Sequence, residues 1–429
     1  MDNSDAAPCA LSRAAAANPG DAGVSAPVSR SAADAYVDEA GRSKGLCMLD
    51  GRAEQGGTAG PVGRQDVPGT AADATVAVNG VLADQLDVRL REAHEVDEVF
   101  AREVAGRVAA FVQRGGKRLR TAFLWCGWRA VGGDCDPRTL LRIGAALELL
   151  QACALIHDDV MDGSPMRRGA PAVHADFARM HCVGGMNGAP EKYSAAAAVL
   201  AGDLALAWAD DLLTDIVLTS PHGRQLHREW QAMRCEMVAG QYLDIHAQAT
   251  GSSAADEAVR IATLKSALYT VERPLALGAS LAGAGARTLT ALRSAGRCAG
   301  LAFQLSDDLL GAFGDPAVTG KPADEDLRGR KLTYLLAVAV RLASASDDSE
   351  AIAALRPEDV ARSDDKVARM RAALERTGAR AVVESYIADL SALSLRHFAA
   401  TGADQHARQE FASLVERAVV APVGSEGAQ

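Results

Sequence analysis

From Val81 onward, apolar residues recur at three- and four-residue intervals and almost nowhere alternate, which confines the chain to a fold built of helices. Leu82, Leu86, Leu90, Val96, Val99, Phe100, Val104, Val108 and Phe111 set the rhythm, with charges between them. Ala- and Leu-rich segments continue it near residues 118–131, 137–162, 194–218, 223–247, 256–284, 288–312 and 331–343. Three more follow near 364–377, 379–400 and 404–420, all divided by short Gly, Pro, Ser or Asp punctuation. The expectation is an all-α, single-domain helical bundle over residues 81–420. Residues 1–80 are rich in Ala, Gly, Ser and Asp and lack sustained apolar periodicity, so they read as a disordered tail unable to offset its ordering entropy. Residues 421–429 read as a flexible C-terminus. Longer connections are expected at 163–174, 181–192 and 313–330.

Charge and cysteine content narrow the function. Lys and Arg total 45 against 55 Asp and Glu, a net of 45 − 55 = −10, which argues against nucleic acid as main partner. An acidic chain that binds phosphate needs a local basic cluster. The eight cysteines are scattered singly with no CxxC pair, so neither a disulfide framework nor a structural zinc site is expected, and a reducing cytoplasm is the natural setting. No uncharged apolar stretch of about 18 residues and no basic-then-apolar N-terminus stands out, so neither a membrane span nor a secretion signal is expected.

The sharpest local feature is Asp158-Asp159-Val160-Met161-Asp162, which ends an apolar helix running through Leu147, Leu149, Leu150, Leu155 and Ile156. Asp158 and Asp162 share a face, at the helix end whose dipole repels acids. No Lys or Arg lies within four residues, which makes a hard divalent cation the expected counter-charge. Asp307-Asp308 ends a second apolar helix in the same way. Two facing carboxylate sets with few N or S neighbours select Mg²⁺, commonly completed by substrate phosphates, so the substrate is expected to carry a diphosphate. Gly115-Gly116-Lys117-Arg118-Leu119-Arg120 supplies an anion cradle at a helix start, with Lys117 and Arg120 on one face, and Arg167-Arg168-Gly169 supplies a second basic cluster. His157 reads as a histidine packed at a helix end, not as a base.

These residues, in this order, resemble the trans-isoprenyl diphosphate synthases over about residues 81–420, closest to the geranylgeranyl diphosphate synthases. "GGKRLR" is similar to the family's isopentenyl diphosphate site, "DDVMD" to its first aspartate-rich motif, and "FQLSDDLLGAFGDPAVTGK" to its second. The resemblance implies a helical bundle with a central active-site cavity and Mg²⁺ as cofactor. It also implies a homodimer, with isopentenyl diphosphate and an allylic diphosphate as substrates. Lys117, Arg120 and Arg168 would hold isopentenyl diphosphate, with Gln151 lining that site. Asp158, Asp162 and Asp307 would hold metal, with Asp159 and Asp308 in support. Arg167, Lys265 and Lys321 would grip the allylic diphosphate, helped by Gln241 and Gln304. Ser266 stands beside Lys265 where the family more often has threonine, and Lys331 falls where it has another cation. The family chemistry pulls diphosphate off the allylic substrate, and released pyrophosphate takes the proton, so no protein nucleophile is needed.

Two departures stand out: Gly311 replaces the usual third aspartate of the second motif, and the tail and the Gly-rich stretch near 183–188 match no part of the family core. A class I terpene cyclase would need no second anion cradle and usually more than 4% aromatic residues. The alternative reading is a non-catalytic or regulatory subunit of a heteromeric synthase, for which Gly311 would be a mark of decay; the intact first motif and the retained lysines and arginines count against it. Small residues at Cys153 and Ala154, with Leu150 one turn deeper, predict room for a twenty-carbon product.

Overall fold

Helix α1 (Ala71–Val96) begins ten residues before the strong periodicity does, because its buried face is cut from small side chains. Ala71, Ala74 and Val78 pack into the core, and Thr70 and Asp73 form a reciprocal capping box that fixes the start. The tail boundary expected at residue 80 is therefore wrong on the side of the fold. The computed structural model describes residues 68–133, 136–314, 325–356 and 364–419, all within the unit Val62–Gln429. Residues 1–67 and the C-terminal boundary expected at 420–421 lie outside the described residues.

The described chain is all-α apart from one two-residue hairpin. After α1 come α2 (residues 98–113, with a π segment at Ala101–Ala105), α3 (Leu119–Arg129) and α4 (Pro137–Asp162). The hairpin pairs β1 (Met166–Arg167) with β2 (Ala170–Pro171), antiparallel, Met166 opposite Pro171. Then follow α5 (Val173–Val183), α6 (Pro190–Thr219), α7 (Gly223–Thr250) and α8 (residues 255–281), whose middle, Thr263–Glu272, is π-helical. The remaining helices are α9 (Ala286–Phe313), α10 (Glu325–Arg328), α11 (Tyr334–Ala345), α12 (Ser349–Leu355), α13 (Asp364–Arg376), α14 (Ala379–Ala399) and α15 (Gln405–Val419). The sequence reading missed α5, α10, α12 and the hairpin, all short and lying in or between stretches read as connections.

Helix α4 is the axis of the bundle. Asp136 caps it by accepting the Arg138 N–H at 3.0 Å, Pro137 takes the first position, where an N–H has no partner, and Gly163 ends it at φ 65°. By length and composition α4 is apolar enough to cross a membrane, contrary to the sequence expectation. Its apolar window is 72% buried among other helices, which identifies it as a core helix. It packs along α6, where Ala198, Ala201, Ala205 and Ala209 are fully buried and let the two axes approach. Helices α9 and α14 form a second packed pair, and α15 closes the bundle. From α15, Glu410 accepts the Ala71 N–H and, at 3.2 Å, the Trp125 indole N–H, tying the first and last helices together.

Candidate active site

The acidic end of α4 is met by cations from three segments, the nearby hairpin and two that are distant in sequence. Lys265 Nζ donates to Asp158 Oδ1 at 3.1 Å and to Asp244 Oδ2 at 2.7 Å. Gln241 Nε2 reaches the same Asp158 oxygen at 3.1 Å. Arg167 donates from Nε to Asp159 Oδ1 at 2.7 Å and from Nη2 to Asp158 Oδ2 at 3.3 Å. Lys331 Nζ lies 2.7 Å from Asp162 Oδ2 and 3.7 Å from Asp326 Oδ1. The absence of a local cation thus did not leave these acids unpaired, because tertiary structure supplies what the flanking sequence lacks. Burial would raise the Asp158 carboxyl, but Lys265, Lys331 and Arg167 outweigh it and hold it below the usual range. Asp159, fully buried, is pushed up to about 6 by burial despite Arg167, with Asp158 and Asp162 adding repulsion. Burial would lower Lys265, yet Asp158 and Asp244 raise it.

Lys265 is placed by an unusual backbone. It sits in the π segment of α8, and α7 crosses that segment at Gly240, where a Cβ would lie 2.3 Å from the Lys265 nitrogen. Only a glycine permits that approach. Ser266, next in the π segment, is half-buried.

At the end of α9, Asp307 is half-buried and Asp308 buried, with Gln304 Nε2 donating to Asp308 Oδ1 at 2.7 Å. Gln304 is thus a partner of Asp308 in this arrangement. Burial first, and then Asp326, Asp307 and Asp244, push the Asp308 carboxyl up to about 8, only partly offset by Gln304. Lys321 and Asp315 lie outside the described residues.

The hairpin turn separates two consecutive arginines. Arg168 (φ 53°) and Gly169 (φ 72°) form its two-residue turn, and strand alternation sends Arg167 to the acids while Arg168 turns to the Gly115-Gly116 loop. There Arg168 donates to the Gly115 carbonyl, and a Cβ on Gly116 would fall 2.9 Å from its guanidinium. Lys117 is exposed beside it. Arg118 is not part of the cradle: it is buried at φ 46°, with Nη1 2.9 Å from Glu148 Oε2 and Nη2 2.9 Å from the Val112 carbonyl, so it secures the loop. Arg120 donates to Thr270 Oγ1 at 2.9 Å and lies 4.1 Å over the Tyr269 ring. Buried polar atoms without a hydrogen-bond partner include Arg120 Nε, Gln151 Oε1 and Asp159 Oδ2.

Among the described residues, no three acidic, His or Cys side chains are already gathered as a metal-holding group. The donor set nevertheless suits a hard cation: Asp158, Asp162, Asp307 and Asp308 offer only oxygen, Asp308 is crowded by like charge, and Asp159 Oδ2 has no donor. Sequence reasoning missed Asp244, Asp326, Tyr269 and Thr270. Asp244 carried a usable signal, being three residues after Gln241 on the same helical face.

Leu150 is fully buried and Ala154, one turn before Asp158, is half-buried. Cys153 instead faces the seam with α6: its Sγ is 3.8 Å from His157 Nδ1, and its thiol is pushed up to about 12 by burial, Asp203 and Asp210. His157 Nε2 lies 3.1 Å from the Val199 carbonyl, over Gly202, where a Cβ would overlap the ring. As expected, it is a packed histidine.

A family model for polyprenyl synthetase matches residues 102–373. A geranylgeranyl diphosphate synthase of Mycobacterium tuberculosis is 35% identical over 264 residues, which are 61% of this chain and 69% of that protein. A (2E,6E)-farnesyl diphosphate synthase of Mycobacterium bovis is 37% identical over 51% of this chain, which spans little more than half, 55%, of that relative. Among solved structures, a geranylgeranyl pyrophosphate synthase from Corynebacterium glutamicum, complexed with isoprenyl diphosphate and magnesium, is similar with a TM-score of 0.77 and 36% identity. That likeness covers 81% of this chain and 98% of the other.

Proposed function

The chain belongs to the polyprenyl synthetase family, and we propose that it is a Mg²⁺-dependent, head-to-tail trans-prenyltransferase making geranylgeranyl diphosphate from isopentenyl diphosphate and an allylic diphosphate. The observation that carries this reading is the division of Arg167 and Arg168 across one hairpin turn. One arginine faces the acidic end of α4 and the other the Gly115-Gly116 loop, as two diphosphates held side by side require.

Lys117, Arg120 and Arg168 hold the isopentenyl diphosphate, and Gln151, whose Oε1 is buried without a hydrogen-bond partner, lines that site. Arg167, Lys265 and Lys331 are poised over Asp158 and Asp162 and grip the allylic diphosphate, with Lys321 as a fourth cation. Gln241 steadies Asp158, Gln304 steadies Asp308, and Ser266 offers a hydroxyl beside Lys265. Asp158, Asp162 and Asp307, with Asp159 and Asp308 in support, would hold Mg²⁺, which when bound would supply positive charge for the departing pyrophosphate. The allylic C–O bond breaks, the isopentenyl double bond supplies the electrons of the new C–C bond, and the proton lost passes to pyrophosphate. His157, tied to the Val199 carbonyl, takes no part.

The same reading includes a cytoplasmic homodimer. Exposed Val238, Tyr242 and Ile245 on α7 and Leu200 on α6 support self-association, and light scattering of the purified chain tests it. The function itself is tested by incubating purified protein with Mg²⁺, isopentenyl diphosphate and each allylic primer, then chromatographing the dephosphorylated products. Turnover that survives EDTA, or no condensation with any primer, refutes the reading.

A further inference from the structure

Arginines that pack between the helices are matched by carboxylates: Arg118 by Glu148 at 2.9 Å, Arg167 by Asp159 at 2.7 Å and Arg273 by Glu229 at 2.7 Å. Arg330 is not. It lies in the turn before α11, partly buried, with a left-handed backbone at φ 49° that few residues other than glycine adopt. Its Nη2 donates to the Leu355 carbonyl on α12, while its Nη1 is buried without a hydrogen-bond partner. Among the described residues no carboxylate forms an ion pair with it, and burial, unopposed, lowers its guanidinium from the ordinary range.

Arg330 lines a cavity of about 100 Å³ between α11, α12 and the turn that leads into α8. Ile352 and Leu355 give the cavity an apolar wall, and Ser253, Ser344 and Arg356, all exposed, stand at its rim. We propose that this cavity is a binding site for one tetrahedral oxyanion of the class of inorganic phosphate, held by the guanidinium groups of Arg330 and Arg356 and the hydroxyl of Ser253. Arg356, like Arg330, has no ion-pair partner among the described residues, so two positive charges meet at the cavity with no acid lining it. Guanidinium forks match phosphate oxygens in geometry and charge. Ser344 gives its proton to the Val340 carbonyl at 2.9 Å and only bounds the rim. The volume lies well below the ~300 Å³ at which pockets for larger organic ligands begin, which excludes a nucleotide or a prenyl diphosphate. The site is distinct from the diphosphate cleft: Lys331 is directed to Asp162 on α4 at 2.7 Å, whereas Arg330, one residue earlier, is directed to α12. An ion bound there would fasten the turn that carries Lys331 to α12.

Calorimetric titration of inorganic phosphate into the full-length protein, in EDTA, tests the site without turnover. Wild type should bind phosphate, and Arg330→Gln should weaken that binding by about tenfold or more, the loss of one charge-assisted contact. Ser344→Asp puts a carboxylate at the rim to occupy the arginines and should weaken phosphate to a similar degree. It leaves the bond from Arg330 to the Leu355 carbonyl in place, so it reads the site even if Arg330→Gln fails to fold. Lys117→Ala/Arg168→Ala, altered in the anion cradle of the other site, should bind phosphate at this cavity as wild type does. Binding that survives unchanged in either Arg330→Gln or Ser344→Asp, or that disappears in Lys117→Ala/Arg168→Ala, puts the ion in the diphosphate cleft and overturns the inference. A wild type that binds no phosphate, the outcome if an ordered water satisfies Arg330 Nη1, overturns it as well.

Discussion

Gly240→Ala is the smallest perturbation that should separate the placing of Lys265 from its charge. The added Cβ would sit 2.3 Å from the Lys265 nitrogen and 2.6 Å from its Cα, against backbone that cannot swing aside. Ordinary contact begins near 3.4 Å, so α7 and the π segment must part by about 1 Å, the difference 3.4 − 2.3. Overpacking of this kind costs about 1–3 kcal/mol and should lower the melting temperature by several degrees. The same shift draws Lys265 from Asp244, now 2.7 Å away on α7, and displaces it relative to Asp158. Misplacing a binding group by ~1 Å can cost about 10²-fold in rate, so kcat/KM for the allylic substrate should fall by that order while KM for isopentenyl diphosphate changes little. Gly80→Ala on α1, where a Cβ meets nothing within 4 Å, is the control and should leave melting and kinetics at or slightly above wild type. Circular-dichroism melts and steady-state kinetics with one substrate varied at a time provide the readings. A Gly240→Ala enzyme with wild-type melting and wild-type allylic kinetics would show that the close crossing does not position Lys265.

Three further outcomes are expected. Lys117→Ala and Arg168→Ala should chiefly raise KM for isopentenyl diphosphate, whereas Lys265→Ala and Lys331→Ala should chiefly impair the allylic partner, each losing a charge-assisted contact of about 1.5–3 kcal/mol; equal effects on both substrates in all four would dissolve the division. Ala154→Phe should shift the product toward fifteen carbons, while Cys153→Phe, directed into the α4–α6 seam beside His157, should mainly destabilise by about 1–3 kcal/mol; chromatography with melting curves reads both, and a twenty-carbon product from Ala154→Phe would place the chain elsewhere. Deleting residues 1–80 should cost about 2–4 kcal/mol, since Ala71, Ala74 and Val78 leave the core and Glu410 loses the Ala71 N–H; an unchanged melting temperature would mean that the start of α1 contributes nothing.

How much of this was legible follows from the range over which each signal acts. The long helices and the acidic ends of α4 and α9 were readable because helical period and residue type are local. The start of α1 was not, since its buried stripe is alanine and valine spaced through Ala71, Ala74 and Val78, too weakly apolar to register. Nor was the partner of each acid: Arg167 lies eight positions from Asp159, Lys265 lies 107 from Asp158, and Lys331 lies 169 from Asp162. Arg118 shows the reverse failure. Sequence places it among three cations, but its left-handed backbone and the buried Glu148 turn it inward.

The pairing pattern has a consequence for how the site fills. Arg167, Lys265 and Lys331, the cations placed to grip a diphosphate, are each engaged with carboxylates placed to hold metal. A diphosphate arriving without counter-charge would have to draw Lys265 and Arg167 off Asp158, leaving that carboxylate with the neutral Gln241 amide but no cation in a mostly buried position. Stranding a charged group in this way costs about 1–3 kcal/mol or more. A divalent cation arriving alone would displace the same lysine and arginine from Asp158 and face the converse cost. When cation and diphosphate enter together, each ion of the protein exchanges one opposite charge for another and none is stranded. The same set of ion pairs therefore disfavours half-filled states and favours joint entry of metal and diphosphate.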